Sequence, residues 1–147
     1  MEGNTGKEIK EKTGKDMKKY FLDTSVIVDF FNETGGVKEI INNIEGEVVS
    51  GWICLAELWE GIQEKKNKDR WGKIIGNFFG NLDEVWGIDM ATAEKFGEIR
   101  NRLRKKGELI EDLDILIAAT CVAKNLVLVT GNKKHFRRID GLEILFG

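Results

Sequence analysis

The sequence predicts an α/β fold, a three-layer α/β/α sandwich on a central, mainly parallel sheet. Short apolar β-type runs alternate with segments of helical periodicity along the chain, the order that builds parallel strands joined by right-handed crossovers. The run at 126–129 has no polar interruption, which suits a central parallel strand covered on both faces. The run at 20–22 stops on a carboxylate, Asp23, and passes at once into helix. Open α/β sheets keep their sites at that carboxyl edge.

Residues 1–16 are polar, with Gly3, Gly6, Gly14 and many Lys and Glu, and are expected to form a flexible leader. Met17 is a candidate start, and 17–147 is expected to be one domain. After Asp23, Thr24 and Ser25 supply N-cap chemistry, and Val26, Ile27, Phe30 and Phe31 follow at helical spacing to a stop at Gly35-Gly36. Residues 37–44 form a short helix with Val37, Ile40, Ile41 and Ile44 on one face, ended by Gly46. Strand two spans 47–53 and a helix spans 56–66. The helix at 68–82 has Trp71, Ile74, Ile75, Phe78 and Phe79 as its stripe. Strand three spans 85–88. A long helix at 91–106 turns Ala93, Phe96, Ile99 and Leu103 inward and ends at Gly107. Glu111, Asp112 and Asp114 precede a small-residue helix at 115–124. Residues 130–132 are the exit loop of the apolar strand, and 142–146 is the last strand.

With 147 residues and 41% apolar content, the chain buries a real core. Its net charge of −2 removes any global basic signature for nucleic acid, so a polyanion must be held by local patches or by metal. Cys54 and Cys121 lie in apolar helical contexts and read as reduced core thiols. A single histidine, His135, argues against a Cys/His zinc site. Neither a membrane-length apolar run nor a signal-peptide pattern is present, so a cytoplasmic location is expected.

The carboxylates carry the chemistry. Asp23 ends strand one, Glu57 falls in the first turn of the helix after strand two, and Asp114 opens the 115–124 helix. A parallel sheet brings all three towards one edge, where they repel unless a cation stands between them. A hard divalent ion with oxygen ligands and several retained waters is the natural occupant. Each acid also has a plain structural role: Asp23 as a helix cap, Glu57 as a first-turn acid favoured by the helix dipole, Asp112 or Asp114 as an N-cap.

Four stretches become specific together: LDTSVIVD, AELWEG, GELIEDLDILIAATCVAKN and LVLVTGNKKHFRRIDGLEI. From about Met17 onward the chain resembles the PIN-domain family, most closely the VapC-type toxins of prokaryotic toxin–antitoxin pairs. The resemblance implies a magnesium- or manganese-dependent endoribonuclease that stops translation. It implies catalytic Asp23, Glu57 and Asp114, with Asp23 and Asp114 as the main anchors of the ion and Glu57 on the attacking water. Asp112, two residues before Asp114, is an auxiliary acid placed to assist or substitute. Many members carry a fourth acid where this chain has Asn132, which can bond a metal-bound water but adds no charge. Thr130, Thr24 and Ser25 offer hydroxyls at the same edge. The resemblance also implies a homodimer and an antitoxin whose C-terminal segment lies along the apolar helices between 37 and 79. The RNA target stays open between transfer RNA, a ribosomal loop and messenger RNA.

The alternatives are a PIN-fold binding module acting through its antitoxin or a DNA-bound complex, and a different acid-edged α/β protein. A phosphotransfer receiver needs a second acid after strand one, and a haloacid-dehalogenase-type phosphatase needs an Asp where Ser25 stands. Of the basic residues, Lys133, Lys134, Arg137 and Arg138 follow the strand that ends near the site and are the candidates for RNA phosphates. Arg100, Arg102, Arg104, Lys105 and Lys106 cluster at a helix C-terminus, where the dipole favours cations in any case. Trp59 and Trp71 fall on apolar stripes and read as packing residues.

Overall fold

The structure, a computed structural model, describes residues 17–146; the expected leader at 1–16 lies outside them. Five strands form one sheet: β1 (Lys19–Leu22), β2 (Glu47–Gly51), β3 (Glu84–Trp86), β4 (Val127–Thr130) and β5 (Ile144–Phe146). Their order is β3-β2-β1-β4-β5 and every pairing is parallel. Seven helices flank the sheet among the described residues: α1 (Thr24–Asn32), α2 (Val37–Asn42), α3 (Trp52–Gly61), α4 (Lys68–Gly80), α5 (Met90–Lys105), α6 (Asp112–Lys124) and α7 (Lys133–Phe136).

The chain runs outward from β1 through β2 to β3, then returns across the sheet to β4. Right-handed crossovers therefore put α1–α4 on one face and α5–α7 on the other. Connections leave β1 and β4 in opposite directions, so the crevice of the fold opens between their carboxyl ends. All four residues of β4 are buried, as its apolar run requires. Phe21, Leu22, Val49, Leu128 and Val129 from the sheet meet Val26 and Ile27 of α1 and Ile115, Ala118 and Ala119 of α6 in one core. Small residues let α6 lie close to the sheet, which fixes where its first turn points. Gly46 is required by a close approach: a Cβ there would strike the Lys18 carbonyl.

The departures from expectation have local causes. The segment at 47–53 is β-rich, but β2 stops at Gly51 and α3 starts at Trp52, which turns Cys54 and Leu58 inward one turn apart. Helix α1 ends at Asn32, and Glu33 takes the left-handed cap (φ 54°) ahead of Gly35 and Gly36. On α5 the Asp89 side chain accepts from the Thr92 N–H, and this sets a phase in which Thr92, not Ala93, is buried with Ile99 and Leu103. Residues 133–136, expected as loop, make one helical turn that buries Phe136. None of the described helices is long and apolar enough to cross a membrane.

Candidate active site

Asp23 follows β1 directly and is the N-cap of α1. Its backbone N–H donates to the Val129 carbonyl of β4 (3.0 Å), so the end of β1 is pinned to the neighbouring strand. Its side chain is 5% exposed. One carboxylate oxygen, Oδ1, accepts from the Thr24 N–H at 2.8 Å. The other, Oδ2, accepts from the Thr130 hydroxyl at 2.7 Å and, at a long 3.4 Å, from the Ser25 hydroxyl. These donors favour the ionised form, yet burial outweighs them and raises the Asp23 pKa above the ordinary carboxylate value.

Thr24 has two tasks. Its N–H donates to the capping Asp23 carboxylate, and its hydroxyl donates to Glu57 Oε1 at 2.6 Å. Glu57 is the sixth residue of α3, one turn deeper than the sequence suggested. A second-turn acid gains little from the helix dipole; what holds Glu57 at the site is the Thr24 hydroxyl. Asp114 is the third residue of α6, whose N-cap is Glu111. Neither Asp112 nor Asp114 therefore takes the capping position. The Asp114 carboxyl is half-buried, and its pKa is pushed up to about 6, first by burial, then by the charges of Asp23, Glu57 and Glu111.

Three segments far apart in sequence thus deliver carboxylates to one edge. Among the described residues no ion pair reaches Asp23, Glu57 or Asp114. Asp112 is turned away: it is exposed, and its Oδ1 accepts from Arg100 Nε at 2.9 Å. Neither partner's role could be read from local sequence, because the pair bridges α5 and α6.

The exit of β4 completes the edge. The buried Thr130 hydroxyl donates to Asp23 and accepts from the Asn132 N–H at 3.0 Å. The Asn132 amide nitrogen stands 2.9 Å from His135 Nδ1, so the sole histidine is bound to the Asn132 side chain. Ser25 is exposed at the rim. Below the acids lies Cys54, fully buried, its thiol pushed up to about 12 by burial and so inert. Lys133 Nζ stands 4.2 Å from the centre of the Phe146 ring, whereas Lys134, Arg137 and Arg138 line a separate concavity with Gly107 and Glu108.

The donor set is all oxygen, mutually repelling and partly desolvated, which fits a hard divalent cation. Among the described residues no three His, Cys, Asp or Glu side chains close around one point. Magnesium takes few protein carboxylates and keeps several waters, so a set of this kind fits it.

Comparison with known proteins agrees with this arrangement. A sequence profile of the PIN domain matches residues 20–142. Ribonuclease VapC1 of Methanocaldococcus jannaschii is 37% identical over 140 residues, covering 94% of this chain and 95% of that protein. The tRNA(fMet)-specific endonuclease VapC of Shigella flexneri is 31% identical over 127 residues, covering 86% and 96%. The crystal structure of VapBC2 from Rickettsia felis, bound to a DNA fragment from its promoter, superposes with a TM-score of 0.80 at 28% identity, over 88% of this chain and 98% of that one. The chain belongs to the PIN-domain family and, within it, to the VapC ribonucleases.

Proposed function

We propose that this protein is the endoribonuclease toxin of a VapBC-type pair. It hydrolyses RNA phosphodiesters with magnesium or manganese in the cytoplasm, stops translation, and pairs with a second copy of itself and with a cognate antitoxin. The observation that carries the reading is the edge itself: Asp23, Glu57 and Asp114, gathered from three segments, unpaired by any described cation, with Asp114 held near 6 by burial and by its acidic neighbours. A binding module has no use for three carboxylates kept at that cost.

Asp23 and Asp114 would hold the ion. Bound there, a divalent ion makes water a better nucleophile and neutralises charge on the phosphodiester. The Thr24 hydroxyl fixes Glu57 so that its free oxygen can hold, and take a proton from, the attacking water. Thr130 keeps Asp23 in its rotamer and joins it to the Asn132 backbone. Asn132 would offer a neutral hydrogen-bonding group beside the ion without adding charge.

The antitoxin has a ready seat. An apolar groove of about 290 Å³ between α1, α3 and α4 is lined by Val28, Phe31, Leu58, Ile62, Trp71 and Ile75, and it opens onto Thr24 and Glu57. Beside it, Phe30, Ile41, Ile74, Phe78 and Leu82 line a second, of about 570 Å³. An apolar segment lying there would bring its end to the carboxylates.

The test is cleavage of total RNA by the purified chain with magnesium, with manganese and with chelator, alongside Asp114→Asn. Discrete metal-dependent products that vanish in the variant are expected, and their ends would name the target. A well-folded, antitoxin-free protein that cleaves nothing with either metal would sink the proposal in favour of the binding module.

A further inference from the structure

The concavity between the loop after α5 and helix α7 encloses about 480 Å³ and is lined by Gly107, Glu108, Lys134, Arg137 and Arg138. We propose that it is a backbone subsite for the substrate: it holds phosphates of single-stranded RNA flanking the scissile bond and reads no base. The inference rests on the ribonuclease reading above and adds where the strand runs.

Three cations face one acid there, in a chain whose net charge is −2. The positive charge of this wall is thus local and does not follow from the balance of the whole chain. Lys134, Arg137 and Arg138 share one side of the chain, at i, i+3 and i+4. None of them is in an ion pair among the described residues, whereas Arg100 pairs with Asp112 and Arg102 with Asp140. Arg138 Nη1 donates to the Glu108 carbonyl at 3.2 Å, which orients the guanidinium and ties the two walls together while its other N–H groups stay available. Lys133, over the Phe146 ring, is no part of this wall.

Both walls lead to the carboxylates. Glu108 precedes Asp114 by six residues, so the groove lies within about 22 Å of that acid even along a fully extended chain. Helix α7 begins just after Asn132, whose N–H is bonded to the Thr130 hydroxyl that in turn holds Asp23. A strand whose scissile phosphate lies at the acids would pass its neighbouring phosphates through this groove. The lining has no aromatic ring on which a base could stack, so the contacts go to phosphate and position the strand without specifying its sequence. It also has no apolar anchor of the kind a protein segment uses to bind.

The experiment measures binding of a labelled oligouridylate to the full chain by anisotropy, in chelator so that cleavage is silent, across a salt series. For Lys134→Ala/Arg137→Ala, the slope of log affinity against log salt is expected to fall by about 1.4, two cations at ~0.7 each on a single strand, with affinity down about tenfold at low salt. Lys66→Ala/Lys73→Ala, two exposed lysines elsewhere, should leave both unchanged, and the charge-conserving Lys134→Arg/Arg137→Lys should retain the slope. An unchanged slope in the groove variant, or an equal fall in the control, would overturn the proposal. So would loss of binding to an oligoglutamate peptide with the RNA slope intact, which would assign the groove to an acidic protein segment. Groove-dependent RNA binding by a chain that cleaves no RNA with metal would support the subsite and overturn the ribonuclease reading alone.

Discussion

Two aspartates follow strands of this sheet and cap the next helix, and they are opposites. Asp23 follows β1 and caps α1; Asp89 follows β3 and caps α5. Asp89 is exposed and accepts from Lys124 Nζ and from the Thr92 N–H, and the lysine, with that N–H, draws its pKa down to about 2. Asp23 is buried, bonded only to neutral donors, and faces Glu57 and Asp114 in place of a lysine; its pKa is raised. Capping is common to both and decides nothing about function. What distinguishes them is the sign of the neighbouring charge and access to water. One carboxylate is already neutralised by the protein, and the other has no cation beside it among the described residues.

The sharpest way to break this contrast is a paired substitution. Asp23→Asn keeps the cap and removes the charge, and metal-dependent RNA cleavage should fall by at least ~100-fold, the upper end for a group one shell further from a metal. Asp89→Asn should cleave at the parent rate and melt a few degrees lower for loss of the Lys124 pair. Equal losses of activity would erase the distinction.

Thr130→Val tests whether Asp23 needs its donor. The substitution is close in shape, but it removes the hydroxyl bonded to Asp23 and to the Asn132 N–H. Cleavage should drop about tenfold, and urea unfolding should show a loss of ~1–3 kcal/mol for the unsatisfied buried groups. Full activity would mean that Asp23 is held by its cap alone.

Asp114→Asn reports the repulsion. Asp114 binds its proton more tightly folded than unfolded, with a pKa of about 6 against 3.8. On its account the metal-free protein is steadiest at low pH and loses stability as pH rises from about 4 through about 6. Asp89 has the opposite sign: its contribution is present above 3.8 and is lost as pH falls through about 2. In chelator, Asp114→Asn should therefore melt higher than the parent at pH 7 and not at pH 4, and the rise in Tm that divalent ions give the parent should vanish. A variant that melts lower at pH 7 would show that the carboxylate is not destabilising where it stands. The smallest effect belongs to Arg100→Ala, which frees the exposed Asp112. The change should stay within ~1 kcal/mol with cleavage kept, and a large loss of activity would return Asp112 to the site.

Much of this was legible in the chain. The strand ending on Asp23 and the buried run of β4 are written in local apolar patterns, because a segment covered on both faces must be apolar throughout. The stretches around Asp23, Glu57, Asp114 and Thr130 pointed to the family. Other features were not legible. Start of α3 at Trp52 was hidden by the β-type residues 48, 49 and 53, which serve strand and helix core equally well. Asp112 and Asp114 looked interchangeable as caps until Arg100, from another helix, took one of them. Thr24 had two acids within reach, and the register of α3 gave its hydroxyl to Glu57.

By itself, then, the sequence determined the alternation of strands and helices, the residue at which each acid stands, and the family to which the chain belongs. Only the tertiary structure decided that β4, from the far end of the chain, lies beside β1 and hands Thr130 to Asp23. It also decided that the cations after β4 divide between the Phe146 ring and an open groove, and that Asp89 receives a lysine while Asp23 receives two more acids. The physical reason is the range of the forces. Hydrophobic periodicity acts on neighbours along the chain and can be read there, whereas burial and charge act through space and exist only once distant segments have met.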